Sequence, residues 1–134
     1  MKTSFIIAIL ASSISLSACK KDKKTNSTTE EENHPTAIIT ITSPLENDTI
    51  QGNFTVTGTI DGTENLHGYQ VTVTNTLNDS IIYQNEVHDH LADFTINQAV
   101  SQTYTTFTPL KLEVLVALDH DGNTAVKTVH FVVH

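Results

Sequence analysis

The sequence predicts an all-β fold, an antiparallel sandwich of about seven strands, on three observations. Past Pro35 the chain breaks into short runs rich in Val, Ile, Thr and Phe, with apolar residues at every second position and Gly, Asn, Asp or Pro between runs. No stretch repeats apolar residues at the three-to-four spacing of an amphipathic helix. The runs also follow one another at short, regular intervals, as in two stacked sheets rather than in strands alternating with helices.

The first run, 37–42, turns Ile39 and Ile41 to one face and Thr40 and Thr42 to the other. In 53–60 the inward set is Phe54, Val56, Gly58 and Ile60, and in 69–75 it is Tyr69, Val71 and Val73. Asn78-Asp79 lies between this third run and the fourth, 80–87, and reads as a hairpin turn, because Asn and Asp tolerate positive φ. The fifth run, 92–99, points Phe94 and Ile96 inward, and the sixth, 110–118, points Leu112, Val114, Val116 and Leu118. Asp121-Gly122-Asn123 turns the chain into the seventh, 124–133, with Val129, Phe131 and Val133 inward. Thr, Gln, Lys and Glu fill most intervening positions, which leaves one wet face per sheet. With Asp119 facing Thr124 in the last hairpin, His130 is expected opposite Glu113 as a cross-strand pair, and His134 is a terminal surface residue.

Residues 1–18 have the build of a secretory signal: Lys2, an apolar stretch from Phe5 to Leu10, and small residues before Cys19. The apolar stretch is too short to span a bilayer. Leu16-Ser17-Ala18-Cys19 resembles the lipobox of bacterial lipoproteins. That resemblance implies that the Cys19 thiol carries a diacylglycerol and tethers the chain to a membrane, each buried methylene contributing about 0.8 kcal/mol. In residues 19–35 four lysines cancel four carboxylates, and from Lys20 to Glu32 no aromatic residue appears, so a flexible tether is expected. Lys20-Lys21-Asp22 resembles the charged export signal of Bacteroidota-type lipoproteins, implying the outer membrane, at its surface or periplasmic face. Asp48-Thr49-Ile50 and Asp79-Ser80-Ile81 are similar to the Asp-Ser/Thr-apolar tripeptide that such bacteria glycosylate. With the sole cysteine lipidated, no thiol is left for a disulfide or a thiolate metal site.

Residues 36–134 form the expected domain. Val116-Ala117-Leu118-Asp119-His120-Asp121-Gly122-Asn123-Thr124, running on through Val129-His130-Phe131-Val132-Val133, resembles the last hairpin of bacterial immunoglobulin-like repeats. Ile41-Thr42-Ser43-Pro44 and Phe54-Thr55-Val56-Thr57-Gly58 extend the resemblance from Ala37 to the end. It implies an antiparallel immunoglobulin-like β-sandwich and leaves function open, since such repeats in tandem serve as spacers or adhesion stalks.

Within this domain Lys111 and Lys127 stand against eleven carboxylates, a formal charge of −9, and arginine is absent from the chain. Phosphate backbones are bound by clusters of lysine and arginine, so nucleic acid is excluded as a partner. Cations are the natural one. In an immunoglobulin-like order His67, His88, His90 and His120 share one end of the sandwich with Asp89, Asp119 and Asp121. In extended chain His88 and His90 face the same way about 7 Å apart, close enough for both rings to reach one ion at roughly 2.0–2.1 Å. Imidazole with carboxylate and without thiolate suits Zn, Cu(II) or Ni, of which Zn or Cu(II) is the expectation taken. Asp89 or Asp119 would orient the rings by accepting their second N–H.

Asp119-His120-Asp121-Gly122-Asn123 begins like a calcium loop, but His130 stands where an EF-hand needs its bidentate Glu, and a turn is the reading taken. No Gly-x-Ser-x-Gly, P-loop or Rossmann glycine pattern is present, so neither an enzyme nor an organic cofactor is expected. Two classes of function stay open. One is a membrane-anchored lipoprotein holding a transition metal through the loop-end histidines. The other is an interaction or adhesion module whose loop end contacts a protein or glycan.

Overall fold

The structure, a computed structural model, describes residues 33–134. The expected signal peptide, the lipid site Cys19 and the tether up to residue 32 lie outside the described residues. Eight strands follow in order: β1 (Ala37–Ser43), β2 (Thr49–Ile50), β3 (Phe54–Gly62), β4 (Gly68–Asn75), β5 (Ser80–Val87), β6 (Asp93–Val100), β7 (Thr108–Ala117) and β8 (Thr124–Val133). They form a three-stranded sheet, β1-β3-β6, and a five-stranded sheet, β2-β8-β7-β4-β5. All neighbours run antiparallel except β2, which pairs parallel with β8. The fold is an immunoglobulin-like β-sandwich.

Period-two alternation builds the core. Along β7, Leu110, Leu112, Val114 and Val116 are buried while Lys111, Glu113 and Leu115 between them are part-exposed. They form one apolar cluster with Val71 and Val73 of β4, Phe54, Val56 and Ile60 of β3, Ile96 of β6 and Phe131 of β8. Fully burying each aliphatic side chain contributes about 1.5–3 kcal/mol, and with the only cysteine outside the domain this burial is what holds it. A hydrogen bond from the Tyr83 hydroxyl to Gln98 Oε1, 2.7 Å, ties β5 to β6 across the two sheets.

The expected inward set is buried throughout save Ile39, which is half-buried because β1 is an edge strand with β3 as its one sheet neighbour. Leu66, Val100 and Leu110 join the core as well. The short β2 was not foreseen, because it exists through its partner: Thr49 and Ile50 lie beside Val132 and Val133.

The last hairpin requires a correction. Thr124 faces Ala117 rather than Asp119, so His130 lies opposite Lys111, and Glu113 opposite Thr128. The turn is longer than the sequence suggested because Asp119 folds back on it. Its Oδ1 accepts the backbone N–H groups of Asp121 at 2.9 Å and Asn123 at 3.1 Å. The carboxylate beside His130 is Glu46, with Oε1 3.6 Å from His130 Nδ1 and Oε2 accepting the His130 backbone N–H at 2.8 Å.

The strand pairings fix which loops share an end. Ala37 pairs with Gly62, Asp61 with Asp93, Tyr69 with Val87, Gly68 with Ala117, and Ala117 with Thr124. Residues 34–36, 63–67, 88–92 and 118–123 therefore meet at one pole of the sandwich.

Candidate metal centre

Backbone hydrogen bonds stitch that pole together. The N–H groups of Thr63, Leu66 and His67 donate to the carbonyls of Thr36 (2.9 Å), Leu91 (2.9 Å) and Ala117 (2.8 Å). Leu66 is fully buried, which anchors the β3–β4 loop and leaves the neighbouring His67 half-buried at the rim. Gly68 sets the spacing beyond it. Its φ of 118° lies in the left-handed region, and a Cβ there would run into the Val87 carbonyl. Only glycine lets the end of β5 come this close to the start of β4, and this approach carries His88 and His90 toward His67.

The four histidines expected to share an end do so. The ring centres of His67 and His120 are 3.7 Å apart, those of His67 and His90 4.5 Å, and those of His90 and His120 6.3 Å. His88 joins through His90 at 5.8 Å. The rings meet edge to face or tilted, and those of His88, His90 and His120 are exposed. Burial pushes the His67 imidazole below its ordinary pKa, and the His120 and His90 rings push it further, against a smaller opposing pull from Asp119. Each of these two effects favours the neutral imidazole, the form that can donate a lone pair. Beside the cluster lies a groove of about 450 Å³ lined by His67, His88 and His120 together with Gln70, Glu86 and Leu115.

The aspartates behave differently from the sequence expectation. Asp89 Oδ1 accepts the backbone N–H of His90 at 2.8 Å, so it shapes the loop rather than orienting a ring. Asp119 does face an imidazole, but one outside the expected four: its Oδ2 lies 3.1 Å from His34 Nδ1. The Asn123 amide donates to that same oxygen at 2.7 Å. This amide is the main cause holding the Asp119 carboxyl below the usual range; the backbone N–H groups of Asn123 and Asp121 and the His34 ring add to it, and desolvation opposes it.

His34, Asp119 and Asp121 form a group able to hold a metal ion, one donor atom from each lying within 4.8 Å of the others. His34 had no signal of its own in the sequence, since it precedes the first strand. The register that pairs Ala37 with Gly62 puts it at the histidine pole. Five of the chain's seven histidines thus meet at one end, and His130 and His134 lie away from it on and beyond β8. Compared with known proteins, the chain matches no family model and no curated protein.

Proposed function

We propose that this protein is a membrane-anchored envelope lipoprotein that captures or buffers a transition metal, Zn or Cu(II), at the histidine pole of its sandwich. One observation carries the reading: His67, His90 and His120 come from three separate loops and lie pairwise within 3.7–6.3 Å, ring centre to ring centre. A ring nitrogen sits about 1.1 Å from its ring centre and Zn–N is about 2.0–2.1 Å, so two imidazoles on one ion have centres at most about 6.4 Å apart. All three pairs fall inside that outer limit, and since a tetrahedral ion sets ring centres about 5 Å apart, the 3.7 Å pair must open and the 6.3 Å pair close on binding. No three of these rings yet place a nitrogen within 4.8 Å of the others, so binding an ion requires the side chains to turn, with His88 beside His90 as a fourth ring.

The electrostatics favour the same ligand. Four protonated imidazoles so close would repel one another, whereas neutral rings in a domain of formal charge −9 attract and hold a cation. The lipobox-like Leu16–Cys19 supports the envelope setting. Capture needs no nucleophile, which agrees with a non-enzymatic role.

Isothermal titration of the purified protein with Zn and with Cu(II), compared with a His88→Ala plus His90→Ala variant, tests the proposal. Saturable metal-dependent heat that is lost or weakened at least tenfold in the variant is expected. Absence of such heat in the unaltered protein would favour the interaction module, in which the same loops contact a protein or glycan.

A further inference from the structure

The β7–β8 turn offers consecutive side chains to two separate donor groups, His120 to the imidazole cluster and Asp119 and Asp121 to His34. We propose that the pole holds two divalent cations, the second in a distinct His34–Asp119–Asp121 site, and that this second ion fastens the chain ahead of β1 to the β7–β8 turn. Only the first of the two ions rests on the function proposed above.

Three features of the turn support the second site. The Nδ1 of His34 and the Oδ2 of Asp119 are 3.1 Å apart. Two ligands about 2.0–2.2 Å from one Zn stand roughly 3–3.6 Å from each other, so the spacing that a hydrogen bond sets here is one an ion can take over with little movement. Asp119 also divides its labour: Oδ1 accepts the two backbone N–H groups that shape the turn, while Oδ2 is the oxygen turned to His34. Oδ2 also accepts the Asn123 amide, whose nitrogen is 2.7 Å from it and 3.2 Å from His34 Nδ1, so an ion entering between the two donors replaces that amide. Finally, the Asp121 carboxylate adds a second negative charge within 4.8 Å. Neither lysine of the domain lies in these loops, since Lys111 is on β7 beside Glu113 at 3.5 Å and Lys127 is on β8. A divalent cation neutralises both carboxylates at once.

The donor set is one imidazole and two carboxylates, harder than the imidazole cluster, and it suits Zn or Mn(II) with water completing the shell. Because His34 and Asp119 are 85 positions apart, an ion between them links the chain entering β1 to the last turn of the domain.

Zn bound per chain, measured by elemental analysis after equilibrium dialysis, separates the two sites. The unaltered protein should hold two ions. His88→Ala plus His90→Ala should hold one, and so should His34→Ala plus Asp121→Asn, a pair that leaves the turn-shaping Asp119 intact. A single ion lost only in the first variant overturns the second site and leaves the imidazole site standing. If it is lost only in the second variant, the His34 site stands and the imidazole reading falls. One ion lost in both variants means one shared site, and none at all overturns both proposals. As an independent readout, Zn should slow hydrogen exchange of the Thr36 amide, which donates to Thr63 Oγ1 at 3.0 Å. That slowing should persist without His88 and His90 and vanish without His34 and Asp121; slowing that survives the loss of His34 would overturn the fastening role.

Discussion

Replacing Gly68 with alanine tests how the pole is assembled. A non-glycine residue at φ 118° carries a backbone penalty of about 1–2 kcal/mol. The added Cβ also meets the Val87 carbonyl, and a backbone group cannot swing aside as a flexible side chain can. Overpacking of this kind costs about 1–3 kcal/mol, so the combined loss is on the order of 2–5 kcal/mol. For a domain of about 100 residues, each kcal/mol moves Tm by about 4–8 °C, giving a fall of about 8–40 °C. Gly122→Ala is the matched control: its φ is 90°, but a Cβ there meets nothing within 4 Å, so only the backbone penalty applies. Urea unfolding of both variants isolates the contact with β5. A Gly68→Ala variant no less stable than Gly122→Ala would refute the close approach of β5 to β4, and with it the device that brings His88 and His90 to His67.

Other outcomes follow from single residues. Leu112 is fully buried at the centre of β7, and Leu112→Ala should cost about 2–5 kcal/mol by urea unfolding; a loss below 1 kcal/mol would contradict its place in the core. His130 and Glu46 are both more than half exposed, so breaking their pair with His130→Ala should change stability by no more than about 1 kcal/mol in the same assay. Without metal, the depressed His67 pKa means that the folded chain binds fewer protons than the unfolded one just below 6.5, so stability declines as pH falls through that value toward the folded pKa. The His67→Ala variant should show a shallower decline between pH 7 and 5, and an identical slope would contradict the assignment. Asp119 acts in the same direction at lower pH, its contribution being lost as pH falls below its ordinary 3.8. Removing its main hydrogen bond with Asn123→Ala should raise the Asp119 titration midpoint followed by carboxyl NMR, and an unchanged midpoint would assign the depression to another cause.

The parts of the fold legible in the sequence are those set by local periodicity. Val71 and Val73, or Val114 and Val116, are buried because alternate residues of a strand share a face, and that pattern needs no knowledge of neighbours. What stayed hidden depends on tertiary partners. Two residues beside β8 make β2, and Leu66 is buried although no strand pattern includes it. The last turn is two residues longer than Gly122 and Asn123 indicate because the Asp119 carboxylate binds the backbone within it. At the pole, the immunoglobulin-like strand order implied by the resemblance places His67, His88, His90 and His120 at one end, since strand order decides which loops share a pole. It could not reveal that Asp119 would turn to His34 and Asp89 to a backbone amide, because side-chain partners a few ångströms away are fixed by register and rotamer.

X-ray absorption of the Zn-loaded His34→Ala plus Asp121→Asn variant, which keeps the imidazole site alone, tests the histidine pole most directly, since imidazole leaves an outer-shell scattering signature that carboxylate lacks. The metal-binding account predicts Zn–N contacts at about 2.0–2.1 Å with scattering from three or four imidazoles, reduced on removal of His88 and His90. A shell of oxygen alone, or Zn that washes off without retaining any imidazole signature, would contradict it.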